Sequence, residues 1–549
     1  MSRREAWLTA LGIFVVALAI RAVGAAGTVF PRPEDSAYYV GVARNIAEGR
    51  GLVSDALWSF GTPPLVFPRP AFEVWLPLPS ILAAIPAALF GGPAPMPLIN
   101  ALRSAQLVTC ILGAGLAVLA WRLAADVAEE RGLPAARART LAIGAGLTTA
   151  VYLPLVLGSI QPDSTIPFGV LVLGACLLAT RVLRDPRGAR PTDLRLLALG
   201  LLIGLAALTR NEAIWLALTW AWLAMRASGV SRAERLRLVG VVAVVAMVVF
   251  APWALRDWRV FGSPLPGQAA TNALSVTGFD IFAWQQPPTL ARYLATGPGA
   301  LVQMRVDGIL HNTVSVLLLL GMPVSLIGLV ALPWQARDRS LRPLVLVACA
   351  TFLVTSLLFP VATTWGTFLH AAAPVHVLLI ISALGALDAG FARLAARMNW
   401  ERPVSWLGAL LTVGWSLMFS AALLPAAGTG STDTARMFRV LAAELAAAGA
   451  PLDGQTPVIT DYPIWLAESQ RVSSLALPNE PPSSVADLAK HFNAQLLVLT
   501  SKERGIWPAT LASGDPAAAC FHELTLAAPA DPIDAASVKD VRVWRIACP

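Results

Sequence analysis

The chain has 549 residues, 56% of them hydrophobic and only 13% charged, with a formal net charge of +8; its mean hydropathy is +0.65. Soluble domains carry roughly 25% charge, so a wholly water-soluble protein is excluded. The positive balance does not indicate nucleic acid: the only lysines, Lys490, Lys502 and Lys539, lie in the polar C-terminal part, and the basic residues elsewhere are arginines, most of them in short loops.

In chain order, the candidate membrane spans are 7–29, 100–125, 138–158, 165–183, 195–209, 213–227, 236–254, 313–333, 341–361, 368–390 and 404–425; most have the roughly 17–25 residues a crossing needs. The first lacks a small-residue cleavage site, so it reads as an anchor. A twelfth apolar stretch, 73–91, carries Pro77, Pro79 and Pro86 and suits broken, interfacial helices better than a clean span. If it does not cross, the arginine-bearing loops 122–139, 184–195 (Arg184, Arg187, Arg190, Arg195), 226–237, 334–342 and 391–403 all fall on the cytoplasmic side, as the positive-inside rule requires. The segments 195–209 and 213–227 are short for spans and flank Thr209-Arg210-Asn211-Glu212, which is then sunk into the outer face.

The expected architecture is a polytopic α-helical membrane protein with about eleven crossings, its membrane domain covering 1–428 and a small extracytoplasmic α/β domain covering 429–549. The N-terminus is expected in the cytoplasm, with the chain in the plasma (inner) membrane. In the second domain Met437–Ala448 and Ser483–Phe492 read as helices, and Pro457–Thr460, Leu496–Leu499 and Val541–Ile546 as strands. Cys110, Cys176 and Cys349 lie in apolar segments and read as small core residues. Cys520 and Cys548 are the only pair in the outer domain, where disulfides persist, and are expected to bond.

Ionisable residues at membrane depth are costly and mark candidate functional sites. Asp35 stands where the first apolar segment ends, and a positioned carboxylate there can act as a general base or cap the helix that follows. Asp163, between two spans at the outer end, has the same two readings. Tyr38 and Tyr39 are either interfacial belt aromatics or substrate contacts. Arg210, Arg256 and Arg259 are candidates for gripping phosphate, because a planar guanidinium binds it in two-point fashion; the alternatives are snorkelling to the interface or pairing with Glu212 and Asp257. His370 and His376 open a span at the outer face and are either ligand contacts or packing residues. No P-loop, dinucleotide fingerprint, His-Glu-x-x-His or Cys-x-x-Cys is present, which argues against nucleotide-driven transport.

The stretch Pro33-Glu34-Asp35-Ser36-Ala37-Tyr38-Tyr39, continued by Ala43-Arg44-Asn45 and Gly49-Arg50-Gly51, resembles the first extracytoplasmic loop of integral-membrane glycosyltransferases with the GT-C fold. The kinds that share its pattern are protein mannosyltransferases, aminoarabinose transferases and bacterial RgtA/B/C/D-like enzymes. Pro252-Trp253-Ala254-Leu255-Arg256-Asp257-Trp258, followed by Phe261-Gly262-Ser263-Pro264, resembles the start of their large outer loop, with Asp257 in place of the usual Asn. Gly204–Arg210, Gly366-Thr367-Phe368-Leu369-His370 and Val458–Pro463 are similar to further segments of such proteins.

The resemblance implies a sugar donor linked to polyprenyl phosphate, an envelope glycan, lipid or protein as acceptor, and inversion at the anomeric carbon. It makes Asp35 the base and Asp163 a second catalytic acid residue, with Glu34, Tyr38, Tyr39, Arg210, Arg256, Arg259 and His370 binding substrate. Ser36 stands where many relatives have Glu, which leaves Glu34 as the second carboxylate of the loop. The resemblance fixes no cofactor; a divalent cation held by Asp35 and Asp163 is the one to be considered, although hard cations want several oxygen ligands. Two rival readings stand beside this one. A transporter or flippase of lipid-linked sugars would place its site at the midplane between repeats, whereas here the polar residues gather at the outer edge. The other is an inactive membrane scaffold of the cell envelope.

Overall fold

The computed structural model describes residues 2–186, 193–400, 404–454 and 456–548; Arg187 and Arg190 lie outside the described residues. Among these, six helices are long and apolar enough to cross a membrane: Arg3–Gly27, Leu98–Glu130, Thr165–Arg184, Arg232–Phe261, Ala373–Arg397 and Trp406–Ala447. The pair Ala135–Val151 and Leu153–Ile160, bent by 48°, makes a seventh. Shorter apolar helices at Leu194–Ala207, Ala213–Met225, Val324–Gln335 and Arg342–Leu357 fall on four further predicted spans. Leu, Trp and Val side chains are exposed around these helices, as at Trp7, Val248, Val330 and Met418; a bilayer accommodates such a surface and water does not.

The bend has a local cause. Pro154 has no N–H to give the carbonyl of Ala150, and that carbonyl instead accepts from Arg21 Nη1 at 2.9 Å. Arg21 is fully buried in the first helix and also donates to Ser159 Oγ and to the carbonyl of Ala17. The carbonyl of Val151 accepts from Ser420 Oγ. A buried cation and a serine thus satisfy the backbone that proline breaks, as a membrane interior demands.

Two predicted spans differ in form. The stretch 313–333 is not one helix: a widened helical segment, His311–Leu318, gives way to a tight turn at Leu319–Gly321, and Val324–Gln335 begins after Pro323. Met322, just before that proline, is extended (φ −60°, ψ 148°), as the residue preceding a proline prefers. The span 404–425 and the predicted helix Met437–Ala448 are a single helix, Trp406–Ala447, of 42 residues. In its Gly-Ser-Thr run Thr429, Thr432 and Thr434 each satisfy their hydroxyl on the carbonyl four residues back.

This helix carries the chain into a six-stranded sheet. Its strands are Ala56–Leu57 (β1), Val458–Thr460 (β2), Ser474–Ala476 (β3), Leu496–Leu499 (β4), Phe521–Glu523 (β5) and Arg542–Ile546 (β6), in the order β1-β3-β2-β4-β6-β5. The first four are parallel, and β6 runs antiparallel to both of its neighbours, β4 and β5. The edge strand β1 comes from the segment between helices Arg3–Gly27 and Leu98–Glu130, so that segment is part of the C-terminal sheet. Cys520 and Cys548 are free thiols, contrary to the expected bridge. Their side chains lie next to each other, and the Ala547 N–H donates to the Cys520 carbonyl at 2.9 Å.

In the stretch 73–91, helix Leu78–Phe90 packs its alanines 83, 84 and 87 against Val40 and Ala43 of helix Glu34–Ala47 and Ala101 and Ala105 of helix Leu98–Glu130. It lies beside the loop helix that carries Asp35.

Candidate active site

Helix Glu34–Ala47 starts directly after Pro33, which provides no side-chain cap. Asp35 is therefore inside the first turn, and its carboxylate does not cap the helix. One oxygen accepts from Trp75 Nε1 at 2.9 Å, and the other lies 2.6 Å from His370 Nε2. The opposite ring nitrogen, Nδ1, lies 2.8 Å from Asp163 Oδ2. Asp163 uses its remaining oxygen to accept from the Thr165 N–H at 2.7 Å, at the start of helix Thr165–Arg184, whose N-cap position is Ser164.

Three chain segments thus converge in one chain of bonds, Asp35–His370–Asp163. An ionised carboxylate only accepts hydrogen bonds, and a neutral imidazole has one N–H. With a carboxylate oxygen at each ring nitrogen, His370 satisfies both neighbours when it carries two protons. Burial pushes the Asp35 carboxyl up, but the His370 charge and bond, the Trp75 bond and Arg210 outweigh it and hold the group below its ordinary value. As arranged, the two aspartates do not fit a shared divalent cation, since the imidazole occupies the line between them. Among the described residues no group of three or more His, Cys, Asp or Glu side chains is set to hold a metal.

Asp35 and His370 open on a cavity of about 540 Å³ whose wall also includes Tyr39, Arg210, Trp75 and Trp365. Arg210 pairs with Glu212 at 2.8 Å and donates to Ser164 Oγ at 2.8 Å and to the Thr367 carbonyl at 3.0 Å. It ties the Thr209–Glu212 turn to the loops that carry Asp163 and His370.

The other predicted residues are placed differently. Tyr38 is buried away from the cavity, accepting from the Phe72 N–H at 2.6 Å and stacking on Trp75 with ring centroids 4.1 Å apart. It supports the tryptophan that holds Asp35. Glu34 faces the C-terminal unit: one oxygen accepts from the Ile464 N–H at 3.1 Å, at the start of helix Pro463–Gln470, and the other from Trp58 Nε1. Burial pushes its carboxyl up to about 8 against the opposing pull of Arg504 and these donors. Arg256 pairs with Asp257 at 2.8 Å and packs over Trp253 and Phe261; Asp257, not Arg256, lines the cavity. Arg259 is exposed on the last turn of its helix. His376 is buried against Tyr152, a packing residue.

The C-terminal unit packs against the loops beside the cavity. Arg504 stacks on Phe279, Phe282, Trp365 and Tyr462, and the buried pair Arg44–Glu468 at 2.6 Å joins helix Glu34–Ala47 to helix Pro463–Gln470. Sequence reasoning missed Trp75, Glu73 and Gln268 among the cavity residues. The available signal was a carboxylate, Glu73, opening an apolar stretch that otherwise reads as interfacial helix.

No protein-family model matches the sequence, and no curated protein matches it. Solved structures do. The oligosaccharyltransferase AglB from Archaeoglobus fulgidus, in complex with an inhibitory peptide and a dolichol-phosphate, matches 95% of this chain and 73% of its own at 14% identity, with a TM-score of 0.57. ArnT from Cupriavidus metallidurans bound to undecaprenyl phosphate matches 99% of both chains at 16% identity and a TM-score of 0.54, and its apo state matches 100% of both at 0.53. The chain has the GT-C fold of these membrane glycosyltransferases.

Proposed function

We propose that the protein is an integral-membrane glycosyltransferase that moves a sugar from a polyprenyl-phosphate carrier to an extracytoplasmic acceptor, inverting the anomeric carbon. The observation that carries this reading is the Asp35–His370–Asp163 chain at the edge of a cavity large enough for a sugar. The polyprenyl phosphates held by the two solved relatives support the class of donor.

The acceptor hydroxyl attacks the anomeric carbon while its proton passes to Asp35. The bond from that carbon to the phosphate oxygen breaks, and the electron pair leaves with the polyprenyl phosphate. His370 keeps Asp35 ionised and aimed, Asp163 fixes the far side of the ring, and Arg210 and His370 supply positive charge as the phosphate leaves. Glu34, Tyr38, Arg256 and Arg259 support the site or the donor from outside the cavity wall. Eleven crossings, a cytoplasmic N-terminus and an outer C-terminal unit in the plasma membrane are the topology that suits this reaction. That topology requires Leu78–Phe90, which carries Pro86 and packs beside Glu34–Ala47, not to cross.

The test is transfer by purified protein from undecaprenyl-phosphate-linked sugars to membrane extracts. Asp35→Asn is expected to lower the rate by about 10²-fold or more, the usual cost of losing a general base. Near wild-type transfer by that variant would refute the mechanism, and donor binding without transfer would favour transport or a scaffold.

A further inference from the structure

Helix Ala213–Met225 begins beside the cavity, where Ile214 and Trp215 line it. Further along, Leu218, Trp222 and Met225 are exposed at the spacing of one helix face, a stripe that a bilayer covers. Arg226, four residues after Trp222, is exposed and holds its guanidinium carbon 4.4 Å from the Trp222 ring centroid. Helix Arg342–Leu357 packs beside this one and runs the other way, since Val354 and Thr355 near its end line the cavity. Its first residue, Arg342, is exposed too and lies 5.4 Å from the same ring centroid. Two cations from two helices therefore meet on one lipid-facing tryptophan.

Like charges held together call for a counter-ion, and the protein provides none. Among the described residues neither guanidinium pairs with a carboxylate. The acids of the adjoining loop are committed: Asp338 to Arg131, and Glu130 to the N–H groups of Arg339 and Ser340 and the Ser340 hydroxyl. Stacking holds each guanidinium on the ring but neutralises neither. Arg342 also opens its helix, the end at which the helix dipole favours an anion. Depth says where that anion comes from. The two helices have 13 and 16 residues, about 20 and 24 Å at about 1.5 Å per residue, against a hydrocarbon core about 30 Å thick. Helices that short leave the pair at the headgroup layer, beside a ring that faces lipid. We infer that Arg226, Arg342 and Trp222 form a binding site for the phosphate of an anionic phospholipid. Basic pockets between membrane helices hold such headgroups by the same charge pairing. The site lies at the ends of the two helices remote from the cavity, in the cytoplasmic leaflet on the proposed topology, and is independent of sugar transfer.

The test titrates delipidated full-length protein in detergent with phosphatidylglycerol or with phosphatidylcholine of the same chains, and reads bound lipid by native mass spectrometry. Wild type is expected to hold one phosphatidylglycerol about tenfold or more tightly than phosphatidylcholine, at about fivefold for each arginine. Arg226→Gln combined with Arg342→Gln should erase that preference; if the double variant does not fold, each single substitution should still cost about fivefold. Trp222→Leu keeps the charges but removes the surface that gathers them, and should weaken the preference several-fold. Arg393→Gln combined with Arg397→Gln removes two exposed arginines from helix Ala373–Arg397, on the same proposed side, and should leave the preference unchanged. The inference is overturned if wild type does not distinguish the two lipids or if the Arg226 and Arg342 variants keep the wild-type preference. An equal loss in the Arg393 and Arg397 variant would overturn it as well, because general surface charge would then suffice. Displacement of phosphatidylglycerol by millimolar inorganic phosphate would make this a site for free anions and not for lipid.

Discussion

Replacing His370 by Gln removes the charge between Asp35 and Asp163 while leaving a side chain that donates to only one of them at a time. Wild-type His370 makes contacts of 2.6 and 2.8 Å to the two carboxylates, and hydrogen bonds to charged groups contribute about 1.5–3 kcal/mol each. Losing the one on Asp35 alone corresponds to roughly ten- to a hundredfold in rate at about 1.4 kcal/mol per decade. Misaiming the base adds to this, so kcat/KM for sugar transfer should fall by about 10²-fold or more.

The pH profile gives the sharper test. Burial pushes the Asp35 carboxyl up, and the imidazolium is the leading influence that opposes it. In wild type the base is ionised down to below its ordinary range, and activity is lost as pH falls through that lowered value. In His370→Gln burial is opposed only by the Trp75 bond and Arg210, and the acid limb of kcat/KM should move to higher pH. The measurement is initial transfer rates from undecaprenyl-phosphate sugar between about pH 4 and about pH 9. A variant with a lower rate but an unmoved acid limb would mean that His370 only packs. A rate within a few-fold of wild type would remove it from the mechanism altogether.

Further expectations follow from other contacts. Arg210→Lys should raise the KM for the lipid donor, because a point charge cannot reproduce three directed bonds to Glu212, Ser164 and Thr367; unchanged donor saturation would refute this. Burial pushes the Glu468 carboxyl up to about 7 against the pull of Arg44, so the folded state binds that proton more tightly than the unfolded chain. Stability should therefore fall as pH rises from about 4.5 through about 7, and the fall should be smaller in Glu468→Gln when melting temperature is followed across that window. In a chain with its five cysteines replaced by Ser, an impermeant thiol reagent on intact cells should label Ser483→Cys and not Arg337→Cys; the reverse would invert the proposed topology.

Much of this protein was legible in the linear chain because its signals are local. Span-length apolar runs mark helices wherever they fold, since lipid forces the backbone to satisfy itself within each segment. The acid–tyrosine stretch at Asp35 stood out as a candidate site because charge at membrane depth needs a reason. The strands Leu496–Leu499 and Val458–Thr460 were legible as short buried runs between helices.

What only the tertiary structure decided is where residues distant in sequence meet. Asp35, Asp163 and His370 are separated by more than a hundred residues at each step, and no spacing rule joins them. Whether a carboxylate caps a helix or meets a histidine depends on where the neighbouring span ends. The same holds for Arg256, which a partner one residue away and two rings draw out of the cavity, and for Glu34, which the C-terminal unit claims. Strand Ala56–Leu57 is too short to carry a pattern of its own; it is a strand because the sheet edge at Ser474–Ala476 offers it unpaired backbone groups.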